Sequence, residues 1–559
     1  MDVSFKEFRL LCVMIIRENS YLKKTERVHN FITDRGKSEE DIFIIIKSLL
    51  PGVTKLTYNL SDKQLVKIFN KLLRCDMSQE ALDIGDVAYV IGAYLKKTNS
   101  LEYAFTSTLM LHEVDEFLIR LSSLTKEADQ IKEFKKIITR CTPNDLRQII
   151  RLIKHDLRIN MGAKHVLEAL HKNAYRVFKL SSNLKHVIAK FLDDDLSLKV
   201  HYMTPVQPML ALACKSFSEI EQKCIGDIFL EFKYDGERIQ IHKRNNDYKF
   251  FSRSLKPVTP YKVAELEDLI SSAFPSADDI ILDGEIILVD QKTNNPLPFG
   301  SLGVNKKQTY TDVCICVFVF DCLYFNDDLL IKKPLHERRK ILKENIFEIP
   351  NQIVLSEMRI IKNNEELVEL LNIVLSKGIE GFIAKDSEGE YEPGMRRWIK
   401  IKKNYLDHGC MIDKADLAVL GAYYGKGNNS GLLSSFLMGC YDESSEKWCT
   451  VVKCSGGHSC LQLQNIREHL KVVPFNKSSI PSWLNVNKVH YPDVVISDVE
   501  EAPVWEIAGA EFTKSPSHTA ASISIRFPRC VRVRDDKDYK AATTLEELIS
   551  LYTKSKEAI

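Results

Sequence analysis

The chain carries the stretch EFKYDGER at residues 231–238, directly after an apolar run that predicts a β-strand. The stretch places Lys233 at the end of that predicted strand, and shortly after it Gly236 allows the chain to turn sharply. If Lys233 and Asp235 lie on the strand, their side chains face the same way and can enter one pocket. Because Lys-x-Asp-Gly is a short motif, a surface turn is the competing interpretation, and residues elsewhere must decide between them.

A lysine in such a pocket can act as a nucleophile only after it loses its proton. Burial or neighbouring cations lower the pKa of an ammonium group and free its lone pair. The candidate cations are Arg238, Lys400 and Lys402. Lys400 and Lys402 flank Ile401, so on a strand both ammonium groups would lie on one face, where a triphosphate could bind. An edge strand protected by lysines is the competing interpretation of this alternation.

Carboxylates recur in two motifs further along the chain. LDGEI at residues 282–286 lies in a predicted strand, and EGF at residues 380–382 follows a predicted helix. Glu285 and Glu380 are hard oxygen ligands suited to Mg²⁺, which offsets charge on transferring phosphates. Taken singly, each could equally be a solvated acid. A dense basic cluster comes later, from RFPR at residues 526–529 to Lys537.

The spacing of apolar residues and of turn residues along the chain predicts a multidomain α+β protein with three regions. Residues 1–200 have apolar positions at helical spacing and predict an all-helical domain. Residues 201–406 predict an α+β domain, and residues 407–559 predict a small C-terminal β-barrel. The strand-like runs are Ile228–Lys233, Ile239–Lys243, Ile280–Val289 and Val313–Leu323, and the intervening helices are Lys262–Phe274 and Glu365–Lys377. A tight turn between two helices is predicted at residues 160–163, either as a phosphate contact or as an ordinary connection.

Composition excludes several classes of protein. The formal net charge is only +2 over 559 residues, so total charge does not indicate a nucleic-acid partner. The 14 cysteines include no Cys-x-x-Cys pair, which argues against zinc-finger spacing and favours reduced thiols. No run approaches the ~20 apolar residues that span a bilayer. We therefore expect a soluble intracellular protein with no membrane association.

Taken in order, the motifs resemble those of the ATP-dependent DNA ligases along nearly the whole chain. The resemblance is to the DNA ligase III type, including its compact poxviral relatives. The ordered motifs are KYDGER at 233–238, FSRSLKP at 251–257, LDGEI at 282–286, FVFDCLYF at 318–325, EGFIAKD at 380–386, WIKIKK at 398–403 and RFPRCVRVRDDK at 526–537. This resemblance implies a helical DNA-binding domain, an adenylation (nucleotidyltransferase) domain and an OB-fold domain. It implies sealing of 5′-phosphate/3′-hydroxyl nicks in DNA replication, repair or recombination.

The same resemblance implies roles for residues of the adenylation domain. Lys233 would attack the α-phosphate of ATP and hold AMP as a phosphoramide. Glu231 resembles the residue that contacts adenine, and Phe320 resembles the aromatic that stacks on its face. Arg238 and Arg253 match positions that bind the nucleotide and the 5′-phosphate of the nick.

Further matches concern the metal and the phosphates. Glu285 and Glu380 match carboxylates on the ribose side and at the metal, which is expected to be Mg²⁺. Lys400 and Lys402 match the pair that holds the α-phosphate through adenylation and the later steps. A fixed cluster of cations offsets the charge that develops on phosphorus during transfer.

The last group of matches lies in the basic motif and at two phenylalanines. Arg534, Asp536 and Lys537 match the OB-domain residues that orient the pyrophosphate leaving group. Phe299 and Phe527 resemble aromatics that press on the minor groove beside the nick. By sequence pattern alone, both would be interpreted as ordinary core phenylalanines.

The expected partners are ATP, Mg²⁺ and nicked duplex DNA, with the helical domain gripping the minor groove. A monomer is expected, without the zinc-finger and BRCT recruitment modules of cellular DNA ligase III. A hinge is expected at residues 405–409, because the barrel must move away once AMP is loaded. The compact layout indicates a viral, cytoplasmic enzyme, with a nuclear location as the alternative.

Two other functions compete with ligation. An mRNA-capping guanylyltransferase uses the same lysine chemistry but needs neither the helical region nor the RFPR run, and it would prefer GTP. A nick-binding protein without catalysis would form no adduct, and we would expect it to lack Lys233 or Lys402.

Overall fold

The computed structural model describes residues 3–53, 56–98, 102–193, 203–214, 216–260, 263, 265–292, 313–376, 379–402, 413–425, 429 and 431–557. The chain divides into two compact units. One unit contains residues 1–175, 188–194 and 411–558, and the other contains residues 176–187 and 195–410, together with residue 559. The second is called the central unit below.

Helices form the N-terminal region, as its apolar spacing predicts. Their bounds are α1 (Phe5–Arg17), α2 (Tyr21–Arg35), α3 (Glu39–Leu49), α4 (Asp62–Leu73), α5 (Ser78–Ile84), α6 (Val87–Lys97), α7 (Leu111–Ser122), α8 (Glu127–Ile138), α9 (Pro143–Ile153), α10 (Ala163–Glu168), α11 (Ala174–Ser181) and α12 (Leu184–Leu192). Local signals set several starts. Thr142 and Asp145 form a capping box before α9, and Pro143 occupies its first turn, where a missing N–H costs little.

The predicted tight turn at residues 160–163 is wrong in length. Helix α9 ends at Ile153 and α10 starts at Ala163, so a nine-residue connection separates the two helices. Gly162 has φ −91°, a value open to any residue, and the left-handed positions are His155, Arg158 and Asn160. The glycine therefore does not make the turn.

Two sheets build the central unit. The strands are β1 (Leu210–Ala213), β2 (Ile228–Phe232), β3 (Glu237–Arg244), β4 (Asp247–Ser252), β5 (Asp279–Asp290), β6 (Val313–Phe325), β7 (Asp328–Leu329), β8 (Ile353–Leu355), β9 (Met358–Ile361), β10 (Gly381–Asp386) and β11 (Arg396–Lys402). The helices are α13 (Phe217–Glu221), α14 (Leu266–Ala273), α15 (Leu335–Asn345) and α16 (Asn364–Ser376). The five-stranded sheet has the order β1-β11-β10-β2-β9, and the six-stranded sheet runs β4-β3-β5-β6-β7 with β8 beside β6.

Each sheet buries an apolar layer under its helices. Leu282 of β5 and Val317 of β6 lie in one core with Phe274 and Leu342, under α14 and α15. In the five-stranded sheet, Phe382 packs with residues of α16 in a separate core. Burial of one such side chain contributes about 1.5–3 kcal/mol. These two cores hold in place the strands that carry the motif residues.

Two sequence interpretations of the strands are corrected. Strand β11 lies between β1 and β10, so Lys400 and Lys402 do not protect a sheet edge. Strand β2 ends at Phe232, and Lys233 and Asp235 belong to the connection before β3 and not to a strand. The helix expected at Lys262–Phe274 is shorter than predicted, because α14 begins at Leu266.

The C-terminal region confirms the predicted OB-fold barrel. Its elements are β12 (Asp413–Tyr424), β13 (Leu433–Asp442), β14 (Lys447–Cys454), α17 (Cys460–His469), β15 (Val472–Pro474), β16 (Leu484–Asn485), β17 (Val494–Ile496), β18 (Val504–Gly509), β19 (Glu511–Lys514), β20 (Ile523–Arg526), β21 (Arg529–Val533) and α18 (Leu545–Glu557). Strand β12 pairs with β13 and β18, β13 pairs with β14, and β18 pairs with β21. A bridge between Gly456 and Arg529 closes the ring from β14 to β21.

Two global expectations can be compared with this fold. None of the helices in the described ranges combines the length and apolar composition that crossing a bilayer requires. The thirteen cysteines within those ranges all have free thiols, in agreement with the absence of a disulfide framework from the sequence pattern.

Candidate active site

A cleft of about 670 Å³ lies in the central unit, and many predicted site residues line it. Its lining residues include Glu231, Lys233, Arg238, Arg253, Glu285, Phe320, Lys385 and Trp398. A volume of this size suits a nucleotide-sized ligand. The sequence-predicted residues from four separate motifs therefore meet in one place.

Lys233 is held at the cleft by backbone geometry. Its N–H donates to the carbonyl of Gly381 at 2.8 Å, which extends the pairing of β2 with β10 by one residue. Gly381 has φ +139°, and a Cβ there would lie 2.1 Å from the Ile401 carbonyl oxygen. Gly236 is equally constrained, since a Cβ would lie 2.4 Å from the Ile286 carbonyl oxygen. Both motif glycines are therefore required by close backbone approach.

One carboxylate joins two lysines beside this point. The Nζ atoms of Lys233 and Lys402 donate to the two oxygens of Glu380. The pairing of β10 with β11 sets this arrangement. Gly381 lies opposite Lys402, and Glu380 is the residue directly before Gly381. Lys400 lies two residues back along β11. Partial burial and the charge of Lys233 lower the pKa of Lys400. The site thus concentrates positive charge where phosphates would bind.

The buried end of the cleft combines a carboxylate with aromatic rings. Glu231 is 2% exposed, and its Oε2 accepts hydrogen bonds from Lys385 Nζ at 2.8 Å and Ser356 Oγ at 3.0 Å. The Lys385 ammonium also lies 4.6 Å from the ring centre of Phe320 and 4.3 Å from that of Trp398. Burial lowers the pKa of Lys385, opposed by the adjacent Glu231. This end suits a flat ring with polar edges.

A buried ion pair supports the wall between these two ends. Arg238 makes a two-pronged contact with Asp283, with Nε–Oδ1 at 2.9 Å and Nη2–Oδ2 at 2.6 Å. The hydroxyl of Tyr391 donates to the same Asp283 oxygen at 2.7 Å. Glu285 lies opposite Arg238 in the pairing of β3 with β5. Burial raises the pKa of Glu285 to about 7, opposed by the charges of Lys233 and Arg238.

The remaining cleft residue from the sequence prediction is Arg253. It follows the last residue of β4, is exposed, and lines the cleft with Ser252 and Ser254. Its guanidinium is thus presented from the open side. Asp235 is not among the lining residues, although its motif neighbours are.

The donor set fits Mg²⁺ held jointly with a substrate. Glu285 lines the cleft together with Lys233, and Glu380 forms an ion pair with the same lysine. In the part of the chain that the structure describes, no cluster of three or more His, Cys, Asp or Glu could hold a metal by itself. Mg²⁺ commonly takes one or two carboxylates and completes its shell with phosphates and water. The two glutamates match that requirement.

The basic motif of the barrel forms a second cationic cluster, outside the central unit. Asp416 Oδ2 accepts from Arg534 Nη1 at 2.6 Å and from Lys537 Nζ at 2.9 Å. Arg534 also contacts both oxygens of Asp536, at 2.9 and 2.7 Å. None of these residues lines the cleft of the central unit.

The two predicted DNA-contacting phenylalanines differ in what can be said of them. Phe299 lies outside the described residues, as does the expected hinge at residues 405–409. Phe527 is 63% exposed with φ +54°, in the turn between β20 and β21. An exposed phenylalanine in the left-handed region is not a core residue, so the simpler interpretation of Phe527 is wrong.

Some site residues were not singled out from the sequence. Lys385 and Trp398 lie inside quoted motifs, so the motif boundaries already contained the signal. Tyr391 and Ser356 lie outside every motif, and neither pattern nor spacing indicates them. They reach the site only because distant strands meet there.

Three features together define the class of a covalent nucleotidyltransferase: a lysine just after a strand end, a nucleotide-sized cleft lined by cations, and a C-terminal OB-fold. Three family models match the chain: DNA ligase N terminus over residues 4–171, ATP dependent DNA ligase domain over residues 208–402, and ATP dependent DNA ligase C terminal region over residues 429–537. The chain therefore belongs to the ATP-dependent DNA ligases. Members seal 5′-phosphate/3′-hydroxyl nicks in duplex DNA through lysyl-AMP and adenylated DNA, using ATP and Mg²⁺.

Individual relatives agree with this assignment. The chain is 62% identical over 559 residues to a DNA ligase of Fowlpox virus (strain NVSL), covering 99% of each chain. It is 47% identical to a DNA ligase of Vaccinia virus (strain Western Reserve), covering 99% of this chain and all of the other. DNA ligase 3 of Dictyostelium discoideum is 39% identical over 98% of this chain and 51% of its own length. The resemblance to poxviral DNA ligases is thus confirmed.

A solved structure shares the fold. Pmar-Lig_Pre superposes with a TM-score of 0.60 at 17% identity, covering 94% of this chain and 99% of that one. Membership of the ligase family also removes the guanylyltransferase and the non-catalytic nick binder as interpretations of this chain.

Proposed function

We propose that Lys233 is the nucleophile that takes up AMP. Its neutral amine attacks the α-phosphorus of ATP, a nitrogen–phosphorus bond forms, and the bond to pyrophosphate breaks as the nitrogen gives up one of its two protons. The observation that carries this proposal is the position of Lys233 in a cleft that has cations near the lysine and a carboxylate with aromatic rings at its buried end. A nucleotide lying along the cleft brings its phosphates to the lysines and its base to the rings.

The buried end holds the adenosine in this proposal. Phe320 stacks on the adenine face, and Glu231 accepts a hydrogen bond from the adenine amino group. Glu285 contacts the ribose side. Arg238 and Arg253 bind the nucleotide and later the 5′-phosphate of the nick. Support comes from burial, because Glu231 is almost fully enclosed whereas Arg253 is exposed on the open side.

The phosphate end uses charge that is already in place. Lys400 and Lys402 hold the α-phosphate through adenylation and the later steps. Glu285 and Glu380 would hold Mg²⁺, which offsets negative charge on the transferring phosphate. The contact of Glu380 with both Lys233 and Lys402 keeps these two side chains together before substrate binds. Such preorganisation lowers the cost of ordering the site during reaction.

The barrel supplies contacts to the other substrate parts. Arg534 and Lys537, oriented by Asp536, bind the pyrophosphate leaving group. Phe527, with Phe299, presses on the minor groove beside the nick. The exposure of Phe527 supports a role in contacting a partner.

The proposed domains are residues 1–200 for DNA binding, 201–406 for adenylation and 407–559 for the OB-fold, with a hinge at residues 405–409. In support, the first boundary falls between the matched regions 4–171 and 208–402, and the second between 208–402 and 429–537. We also propose that the chain acts as a monomer, and that it acts in the cytoplasm because its relatives include poxviral DNA ligases. The absence of zinc-finger and BRCT modules stays an expectation from the sequence.

Incubation with α-labelled ATP and Mg²⁺, followed by addition of a 5′-phosphorylated nick, tests this proposal. The protein should acquire covalently bound label that survives denaturation, and then lose it as the nick is sealed. Lys233→Ala should acquire no label while it still binds nicked DNA. Label retained by this variant would show that another nucleophile carries the AMP.

A further inference from the structure

The carboxylate of Glu231 has one oxygen that is held and one that is not. Oε2 accepts from both Lys385 and Ser356, whereas Oε1 is buried and has no hydrogen-bond partner within the described part of the chain. Leaving a buried charged acceptor unsatisfied costs more than leaving a neutral one. Because Glu231 lines the cleft, a ligand donor is the natural partner for Oε1.

Ser356 determines how this carboxylate is oriented. Arg339 Nη1 donates to Ser356 Oγ at 3.2 Å, and Arg339 Nη2 donates to the Ser356 carbonyl at 2.9 Å. A guanidinium has no acceptor, so Oγ must accept from Arg339, and its single hydrogen is left for Glu231. The direction of the chain of hydrogen bonds from Arg339 to Glu231 is therefore fixed.

Ser356 also ties Glu231 to the aromatic wall. Its N–H donates to the carbonyl of Val319 at 2.9 Å, directly before Phe320 on β6. Its hydroxyl reaches Glu231 on β2, a strand of the other sheet. Ser356 itself is 3% exposed and is not a lining residue of the cleft. One residue, through its backbone N–H and its hydroxyl, thus links the position of the carboxylate to that of the Phe320 ring.

We infer that Ser356, held by Arg339, is a positioning residue that makes the cleft prefer adenine over guanine. The inference rests on the proposed contact between Glu231 and the base. Adenine carries an amino donor where guanine carries the carbonyl acceptor O6. An ionised carboxylate only accepts hydrogen bonds. A correctly oriented Oε1 therefore attracts the amino group of adenine and repels O6 of guanine. A site built around a hydrogen bond discriminates strongly against a base that cannot make it.

The experiment compares Ser356→Ala with Ser356→Thr, which keeps the hydroxyl, in the full-length protein. Covalent labelling is measured against the concentration of α-labelled ATP and of α-labelled GTP, with Mg²⁺. Ser356→Ala should raise the KM for ATP about tenfold and lower the preference for ATP over GTP about tenfold, as expected for a lost hydrogen bond to a charged group. The labelling rate at saturating ATP should stay close to that of the wild type, and Ser356→Thr should restore the preference.

The matched control is Ser387→Ala, another buried serine of the central unit, at 4% exposure and outside the cleft lining. It should keep the wild-type preference. An unchanged ATP-to-GTP preference in Ser356→Ala, or an equal loss in Ser387→Ala, would overturn the inference while leaving the proposed function intact.

A second variant covers the case in which Ser356→Ala does not fold. Arg339→Gln should lower the preference in the same direction by a smaller factor, because the Ser356 hydroxyl is kept and can still donate to Oε2 alongside Lys385. No change in this variant, in protein with a normal melting transition, would overturn the inference. A wild-type protein that never acquires label from ATP would instead overturn the proposed function, and the inference with it.

Discussion

Beside the cleft, Glu380 accepts hydrogen bonds from Lys233, a lining residue, and from Lys402; in the barrel, Asp416 accepts from Arg534 and Lys537. Each cluster is a carboxylate shared by two cations, and the side-chain exposures are similar. The clusters differ in the type of cation and in the presence of a second acid. Glu380 pairs with two lysines, whereas in the barrel Arg534 has a further partner in Asp536.

This difference separates a reacting group from a fixed charge. A lysine can lose its proton and become a nucleophile, whereas an arginine stays charged at any pH that a protein experiences. Hydrogen bonding to Asp536, together with the charge of Asp416, raises the pKa of Arg534 further, so the barrel cluster carries permanent charge. In the cleft, partial burial and Lys233 lower the pKa of Lys400. The cleft is therefore suited to covalent chemistry, and the barrel cluster to holding an anion.

The largest effect is expected when Lys233 is replaced by arginine, the cation that the barrel cluster uses. Lys233→Arg keeps the positive charge but cannot supply a lone pair, so covalent labelling by ATP should fall by more than about 10⁴-fold. Binding of nicked DNA should stay within about threefold, because the charge that attracts phosphate is kept. Gel analysis with α-labelled ATP and a filter-binding assay measure the two quantities. Substantial labelling would mean that charge, and not the amine, is what matters at this position.

The two clusters should also separate by reaction step. Arg534→Ala should lower self-adenylation about 100-fold, in the range for loss of one charge-stabilising group. It should leave sealing of a pre-adenylated nick within about threefold, because pyrophosphate has already left. Lys402→Ala should impair both steps. Equal damage to both steps by Arg534→Ala would contradict the division between leaving-group and α-phosphate contacts.

Burial should decide which acid matters for stability. The Asp283 side chain is 2% exposed beside Arg238, whereas that of Asp536 is 51% exposed beside Arg534. Asp283→Asn leaves a buried arginine without its counter-charge, and we expect a loss of about 3–5 kcal/mol in the free energy of unfolding. Asp536→Asn should leave stability unchanged within error. Urea unfolding of both variants checks this, and equal losses would show that exposure does not govern these pairs.

The smallest effect concerns pH. Burial lowers the pKa of His242 in the central unit to about 3 and that of His518 in the barrel to about 4. Because each folded pKa lies below the unfolded value, the unfolded chain binds more protons as the pH falls below ~6.5, and stability is lost there. At pH 4, His242 should account for about 3 kcal/mol of that loss and His518 for less. The melting temperature of His242→Gln should therefore fall less between pH 7 and pH 4 than that of the wild type.

Secondary structure with a strong local signal could be predicted from the sequence. The runs Ile280–Val289 and Val313–Leu323 match β5 and β6, because long apolar runs have few alternatives to a buried strand. The predicted helix Glu365–Lys377 matches α16 within one residue at each end. Helix α15 was not predicted, since its sequence LHERRKILKEN is mostly charged and gives little apolar periodicity.

Prediction failed where the local spacing of residues was used to infer the backbone conformation. The strand was expected to end at Lys233, but it ends at Phe232, and a backbone hydrogen bond to Gly381 and a side-chain contact with Glu380 hold the lysine at the cleft. The glycine near residue 162 was expected to make a tight turn, but three non-glycine residues take the left-handed conformations in a longer connection. A motif identifies residue types and not the dihedral angles that they adopt.

Motif order in the sequence by itself determined the family, the nucleophile candidate and the three-region layout, because these depend on residue identity along the chain. Tertiary structure alone decided which side chains line the cleft and which distant side chains support them from behind. Tyr391 reaches Asp283 across 108 residues, and Ser356 reaches Glu231 across 125. Such contacts arise from sheet pairing and core packing between distant strands, and no local pattern encodes the position of a partner so far away.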